Sequence, residues 1–144
     1  RSISHNGFFA GDDDFHYHSF TTACTNIGNP ELIILFGGTN DAWGHADVGE
    51  YKYSDWTEAD LRTVRPALAY TLSYLKNHHK GARILFLLNT GLDADYNTTM
   101  RTVCAEYGVG VVVLSGIEKT GEYPHPTPAG METIKNQLIN YLRK

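Results

Sequence analysis

Apolar residues fall along this chain in two rhythms: short unbroken runs, and longer stretches spaced by three and four. Glu31 to Phe36 is nearly all apolar and is closed by Gly37-Gly38. Such a run predicts a strand buried on both faces of a parallel sheet. Arg83 to Leu88 (RILFLL) and Val109 to Leu114 (VGVVVL) predict two more. Between the first two, Leu61, Val64, Leu68, Leu72 and Leu75 mark one face of a long helix. Thr57-Glu58-Ala59-Asp60 supplies its cap and an acidic first turn, and Pro66 predicts a kink or break. Ala94 to Tyr107 reads as a second helix stopped by Gly108. A last helix is capped by Thr127, has Pro128 at its first position, and turns Met131, Ile134, Leu138 and Tyr141 inward. Ahead of the first strand, Asp13 or Asp14 is placed to cap a short helix running to about Cys24. Alternating strand and helix of this kind predicts a three-layer α/β/α sandwich with a parallel sheet and right-handed crossovers.

Composition narrows what such a fold could do. A chain of 144 residues without repeats or linkers predicts a single domain over residues 1–144. Twelve Lys+Arg against 16 Asp+Glu leave a net charge of −4, which offers no footprint for nucleic acid or an anionic membrane. The longest apolar run, Leu32 to Phe36, is far too short to cross a bilayer. Two cysteines, Cys24 and Cys104, cannot supply a zinc site alone; they leave room for one disulfide, with two free thiols the plainer reading. Asp12-Asp13-Asp14 with His16 and His18 lacks the spacing of a calcium loop and reads as helix capping; no metal and no cofactor is implied.

In parallel α/β sheets, chemistry collects where strands end at their C-terminal edge. Here those places are Gly37 to Asp41, Asn89 to Asp95 and Ser115 to His125. In Phe36-Gly37-Gly38-Thr39-Asn40-Asp41, the glycines would let backbone approach a ligand while Asn40 donates a hydrogen bond; an ordinary turn is the plainer reading. A phosphate loop fits poorly, because no Lys-Ser/Thr follows and no helix is expected to begin at once. The segment Glu122-Tyr123-Pro124-His125-Pro126-Thr127 holds a histidine between two prolines, on a stiff loop before a capped helix. A rigidly placed imidazole suits a general base, and a carboxylate three residues earlier could orient it. Taken alone, a proline-rich helix start with an exposed histidine explains it as well. Trp43 and His45 after the first loop, and the aromatic cluster Tyr51, Tyr53 and Trp56, are candidates for stacking on a sugar ring or for packing a long loop.

Together, Phe36-Gly37-Gly38-Thr39-Asn40-Asp41-Ala42-Trp43 and His125-Pro126-Thr127-Pro128-Ala129-Gly130-Met131 resemble the SGNH (GDSL-type) hydrolases, from about Pro30 to the C-terminus. The resemblance implies a flavodoxin-like sheet and a serine esterase. It assigns Asn40 as an oxyanion donor, His125 as the catalytic base and Gly38 as the motif's glycine. Asp41 and Trp43 are carried along as substrate-side residues. Glu122 stands where the family usually has Asp, so that Glu122 is favoured to orient His125, with a backbone carbonyl as the alternative. No Gly-Asp-Ser occurs in the sequence, and none of its serines sits in a nucleophile elbow. Arg1-Ser2-Ile3-Ser4 is similar to the tail of the family's second block, with Gly7 a weak candidate for that block's glycine. The expectation is therefore an SGNH-like domain whose first strand and nucleophile lie outside this chain, present as a separate chain or absent from the sequence. The strand at 31–37 would then expose an apolar edge.

The implied substrate is a small acyl ester, with an O-acetylated carbohydrate ahead of a simple lipid ester. The bacterial look of the motifs points to a secreted or periplasmic protein. A catalytically inactive SGNH-like module that binds carbohydrate or protein is the alternative, and a flavodoxin-like nucleotide binder a third.

Overall fold

The computed structural model describes residues 3–4, 19–121 and 125–144. Three parallel strands form its sheet in the order β1-β2-β3: β1 Leu32–Phe36, β2 Arg83–Leu88 and β3 Gly110–Val113. Leu32 pairs with Arg83 and Leu85 with Gly110, so the strands end near one another at their C-terminal edge. The described α-helices are α1 (Phe20–Ala23), α2 (Thr39–Trp43), α3 (Val64–His78), α4 (Ala94–Glu106) and α5 (Pro128–Leu142).

Strand periodicity separates the two faces. Ile33 and Leu35 of β1, with Ile84, Phe86 and Leu88 of β2, join Leu68 and Leu72 of α3 and Met100 and Val103 of α4 in one core. Leu87, Val112 and Leu114 meet Ile134, Leu138 and Tyr141 of α5 on the opposite face. The expected three-layer α/β/α arrangement is thus the one observed.

Differences from the sequence expectation have local causes. Thr57 and Asp60 do cap one another: the Thr57 N–H and hydroxyl donate to Asp60 Oδ2 at 2.7 and 2.8 Å. They cap a 3₁₀ turn over Asp60–Arg62, however, and α3 starts afresh after Thr63. Pro66 therefore lies in the first turn of α3, where its missing N–H needs no intrahelical acceptor. Met131, expected inside, is 52% exposed. The inward position one turn before Ile134 belongs to Gly130, whose place a Cβ could not share: it would lie 2.1 Å from the Glu118 carbonyl oxygen. Asp13 and Asp14 fall outside the described residues, and the residue preceding α1 is Ser19.

β1 is an edge strand among the described residues. Leu32 and Ile34 are 39% and 40% exposed on it. Beside them runs a groove of about 670 Å³ lined by apolar residues including Phe20, Ile27, Ile34 and Leu75.

Candidate active site

β1 delivers Gly37 and Gly38 to the C-terminal edge of the sheet, and α2 begins at the next residue, Thr39. The expectation that no helix would begin at once is therefore corrected: a five-residue helix does, too short to show a period of its own. Gly38 precedes it with φ +95°, a left-handed conformation that favours glycine. A Cβ there would lie 2.9 Å from Met100 Cε and 3.2 Å from Ile3 Cδ1. The glycine expected to admit substrate is thus required by the core behind the loop, and Gly37 is the one that lines the cleft in front.

Asp41 also faces the protein. It is fully buried, and its carboxylate accepts from the Ile3 N–H at 2.7 Å, the Ser4 N–H at 3.0 Å and the Ser4 hydroxyl at 2.6 Å. This residue, expected on the substrate side, holds the Ile3–Ser4 segment against α2. Asn40, one residue earlier on the helix, is half-buried and lines the cleft.

After β3, described residues on either side of 122–124 pair with one another before α5. Lys119 and Pro126 form an antiparallel bridge, and the Thr120 N–H donates to the His125 carbonyl at 2.9 Å. Thr127 then fixes the start of α5: its hydroxyl donates to Glu118 Oε1 at 2.5 Å and accepts from the Gly130 N–H at 3.1 Å. Capping and the Glu118–Gly130 approach together hold His125 at the surface over the strand ends. Glu122, its expected orienting partner, lies outside the described residues.

The two constellations meet. Phe36, Gly37, Thr39, Asn40, Trp43, Asn89, His125 and Pro126 line a single cleft of about 170 Å³. His125 and Asn40, 85 residues apart in the chain, converge there because both follow strand ends of one parallel sheet. Trp43, 50% exposed, forms part of its wall. Asn89 was legible only as the first residue after a strand; in the structure it is 7% exposed, and its amide donates to Thr39 Oγ1 at 2.8 Å. Among the described residues, no serine lines this cleft.

The aromatic cluster does not reach it. Arg65 stacks over the Tyr51 ring at 4.4 Å, Tyr53 packs on Tyr51 and Tyr107, and Trp56 meets Tyr70 edge-on while donating to the Lys52 carbonyl. These rings fasten the loop between α2 and α3, and neither they nor His45 line the cleft.

The chain matches the family model of GDSL-like lipases/acylhydrolases over residues 1–142. It belongs to that family. Two solved structures, each provisionally named a GDSL-like lipase, share its fold with a TM-score of 0.91: one from Bacteroides uniformis at 36% identity and one from Bacteroides ovatus at 37%. The alignments cover 99% of this chain but only 65% and 67% of those proteins. A protein from Lactobacillus plantarum, 20% identical with a TM-score of 0.76, is similar in fold over 99% of this chain and 76% of its own. Among curated proteins, no sequence matches.

Proposed function

We propose that this domain contributes the base and one oxyanion donor to a serine esterase that removes a small acyl group, an acetyl ester of a carbohydrate first among them. The observation that carries the reading is the shared cleft of His125 and Asn40. In this reading, the His125 imidazole takes the proton of a serine hydroxyl as its oxygen attacks the ester carbonyl. The Asn40 amide donates to the oxygen that becomes negative, a donor of a kind worth about 3–4 kcal/mol in the transition state. His125 then returns the proton to the leaving alcohol, and water clears the acyl-enzyme by the same steps in reverse roles.

Two features favour a small acyl group on a larger alcohol. The cleft, at about 170 Å³, is below the roughly 300 Å³ at which drug-sized ligand sites begin. Trp43 adds a half-exposed aromatic wall on which a sugar ring could rest. The nucleophile is proposed to arrive on polypeptide beyond these 144 residues, as a strand pairing with the open edge of β1. In support, the two Bacteroides proteins are about half as long again as the part this chain matches, and β1 leaves Leu32, Ile34 and an apolar groove uncovered.

The test is a p-nitrophenyl ester series run on the protein with its serine-bearing segment in place, alongside a fluorophosphonate probe. Turnover fastest on the acetate, with the label on one serine, is the expected result. No hydrolysis and no labelling would overturn the esterase and leave a carbohydrate- or protein-binding module.

A further inference from the structure

The loops that carry His125 and Asn40 are joined by a continuous series of hydrogen bonds across the end of β2. Lys119, whose neighbour Thr120 holds the His125 carbonyl, extends its ammonium to the Thr90 carbonyl at 2.9 Å. The Thr90 N–H donates to Asn89 Oδ1 at 2.9 Å, and Asn89 Nδ2 donates to Thr39 Oγ1 at 2.8 Å. Thr39 precedes Asn40 in the first turn of α2. One end of the series is thus the residue before Asn40, and the other lies one residue and one backbone hydrogen bond from His125.

Each link is of a type that holds a position firmly. The Lys119 stem is half-buried, so its ammonium is kept near a single acceptor instead of roaming in solvent. The Asn89 amide is almost fully buried, and its two halves serve different loops, so its rotamer cannot change without leaving a buried polar atom unpaired. Other contacts hold each loop to its own surroundings, the Lys119–Pro126 bridge and the start of α5 for His125 and the Asp41 bonds to Ile3 and Ser4 for α2, but these links tie the two loops to one another.

We propose that Lys119 and Asn89 are positioning residues: by tying the base loop and the oxyanion loop to one strand end, they set the separation of the His125 imidazole and the Asn40 amide. The proposal rests on the esterase reading for its catalytic consequence, but the mechanical coupling exists with or without turnover. Acyl transfer is sensitive to this separation, since a displacement of about 1 Å can lower a rate by about a hundredfold.

The experiment follows side-chain NMR signals of Asn40 and His125 in Lys119→Met, Lys119→Arg and Asn89→Ala, with thermal unfolding as the control for folding. Methionine keeps the stem of Lys119 and removes its donor. The Asn40 amide should shift in Lys119→Met although Lys119 is on the other loop, and the His125 ring should shift in Asn89→Ala. Lys119→Arg should restore the Asn40 signals. In the protein with its serine-bearing segment, Lys119→Met should lower kcat on p-nitrophenyl acetate by about tenfold or more while KM stays within about twofold. Unchanged Asn40 signals in Lys119→Met together with an unchanged His125 ring in Asn89→Ala would overturn the proposal. Absent turnover in the wild-type protein would count against the esterase alone, because the cross-loop shifts are read without substrate.

Discussion

At the scale of single residues, neighbours in sequence perform opposite tasks. Asn40 looks into the cleft while Asp41 turns its carboxylate to three buried donors on Ile3 and Ser4. Asp41→Ala would leave those donors without their acceptor, and should destabilise the protein by about 3–5 kcal/mol in urea unfolding. The side-chain order in Gly-Gly-Thr-Asn-Asp was readable, but not which way each residue faced. Gly38 and Asp41 point to the core because of Met100, Ile3 and Ser4, none of which is near them in the chain. Asn89 shows the same limit, since its partner Thr39 lies on another loop.

The cysteines yield a residue-scale prediction with a pH sign. Cys24 and Cys104 are both free and buried, and burial pushes their thiols up to about 11 and about 12. Neither should react with DTNB at pH 8 in the native protein, whereas both should on unfolding. Because the unfolded thiols ionise near 8.5 and the folded ones only well above that, burial stabilises the native state fully below about pH 8.5. That contribution should fade as pH rises through 9 to 12, visible as a falling urea midpoint.

At the scale of elements, the signals that proved readable were local ones. Thr127-Pro128 marks the start of α5 because capping and a proline at the first position act within one turn. β2 was legible because burial on both faces demands a continuous apolar run, and β1 and β3 carry runs of the same kind although Leu32, Ile34 and Val113 are exposed. Short α2 left no periodic trace, and Gly130 carries no side chain by which a hydrophobic pattern could mark it as the inward position of α5. Gly130→Ala gains about 1 kcal/mol of helix propensity, yet its Cβ would strike the Glu118 carbonyl, which is backbone. The clash should win, with a net loss of about 1–3 kcal/mol and displaced His125 signals. The Thr57–Asp60 box responds to acid. Bonds from Lys52 and from Thr57 lower the Asp60 carboxyl to about 2. Its stabilising effect is therefore complete above about pH 4 and should be lost as pH falls toward 2, with Asp60→Asn flattening the acid limb of the stability curve.

At the scale of the whole molecule, a parallel sheet gathers residues from distant parts of the chain at one edge. Loops after β1, β2 and β3 bring Asn40, Asn89 and His125 to one cleft, and helices on both faces fix the sheet that carries them. Motif resemblance led to two of these residues; the third depended on the fold. Among the described residues the sheet is open at β1, whose outer backbone edge is of the kind that pairs with another strand, and Leu32 and Ile34 are exposed on one face beside it. Introducing lysine at Ile34 should therefore lower the tendency of the isolated 144-residue chain to associate, measured by light scattering, with little change in its unfolding midpoint.

The account turns on the convergence of the imidazole and the amide on one reacting carbonyl. Its most direct measure is the rate of p-nitrophenyl acetate hydrolysis by His125→Ala and Asn40→Ala in the protein extended by the serine-bearing segment proposed above, against the same protein without substitution. Both variants should keep the wild-type unfolding midpoint; Asn40→Ala should lose about 10²–10³ in kcat, and His125→Ala at least as much. Wild-type turnover that persists within about threefold in either variant would contradict it.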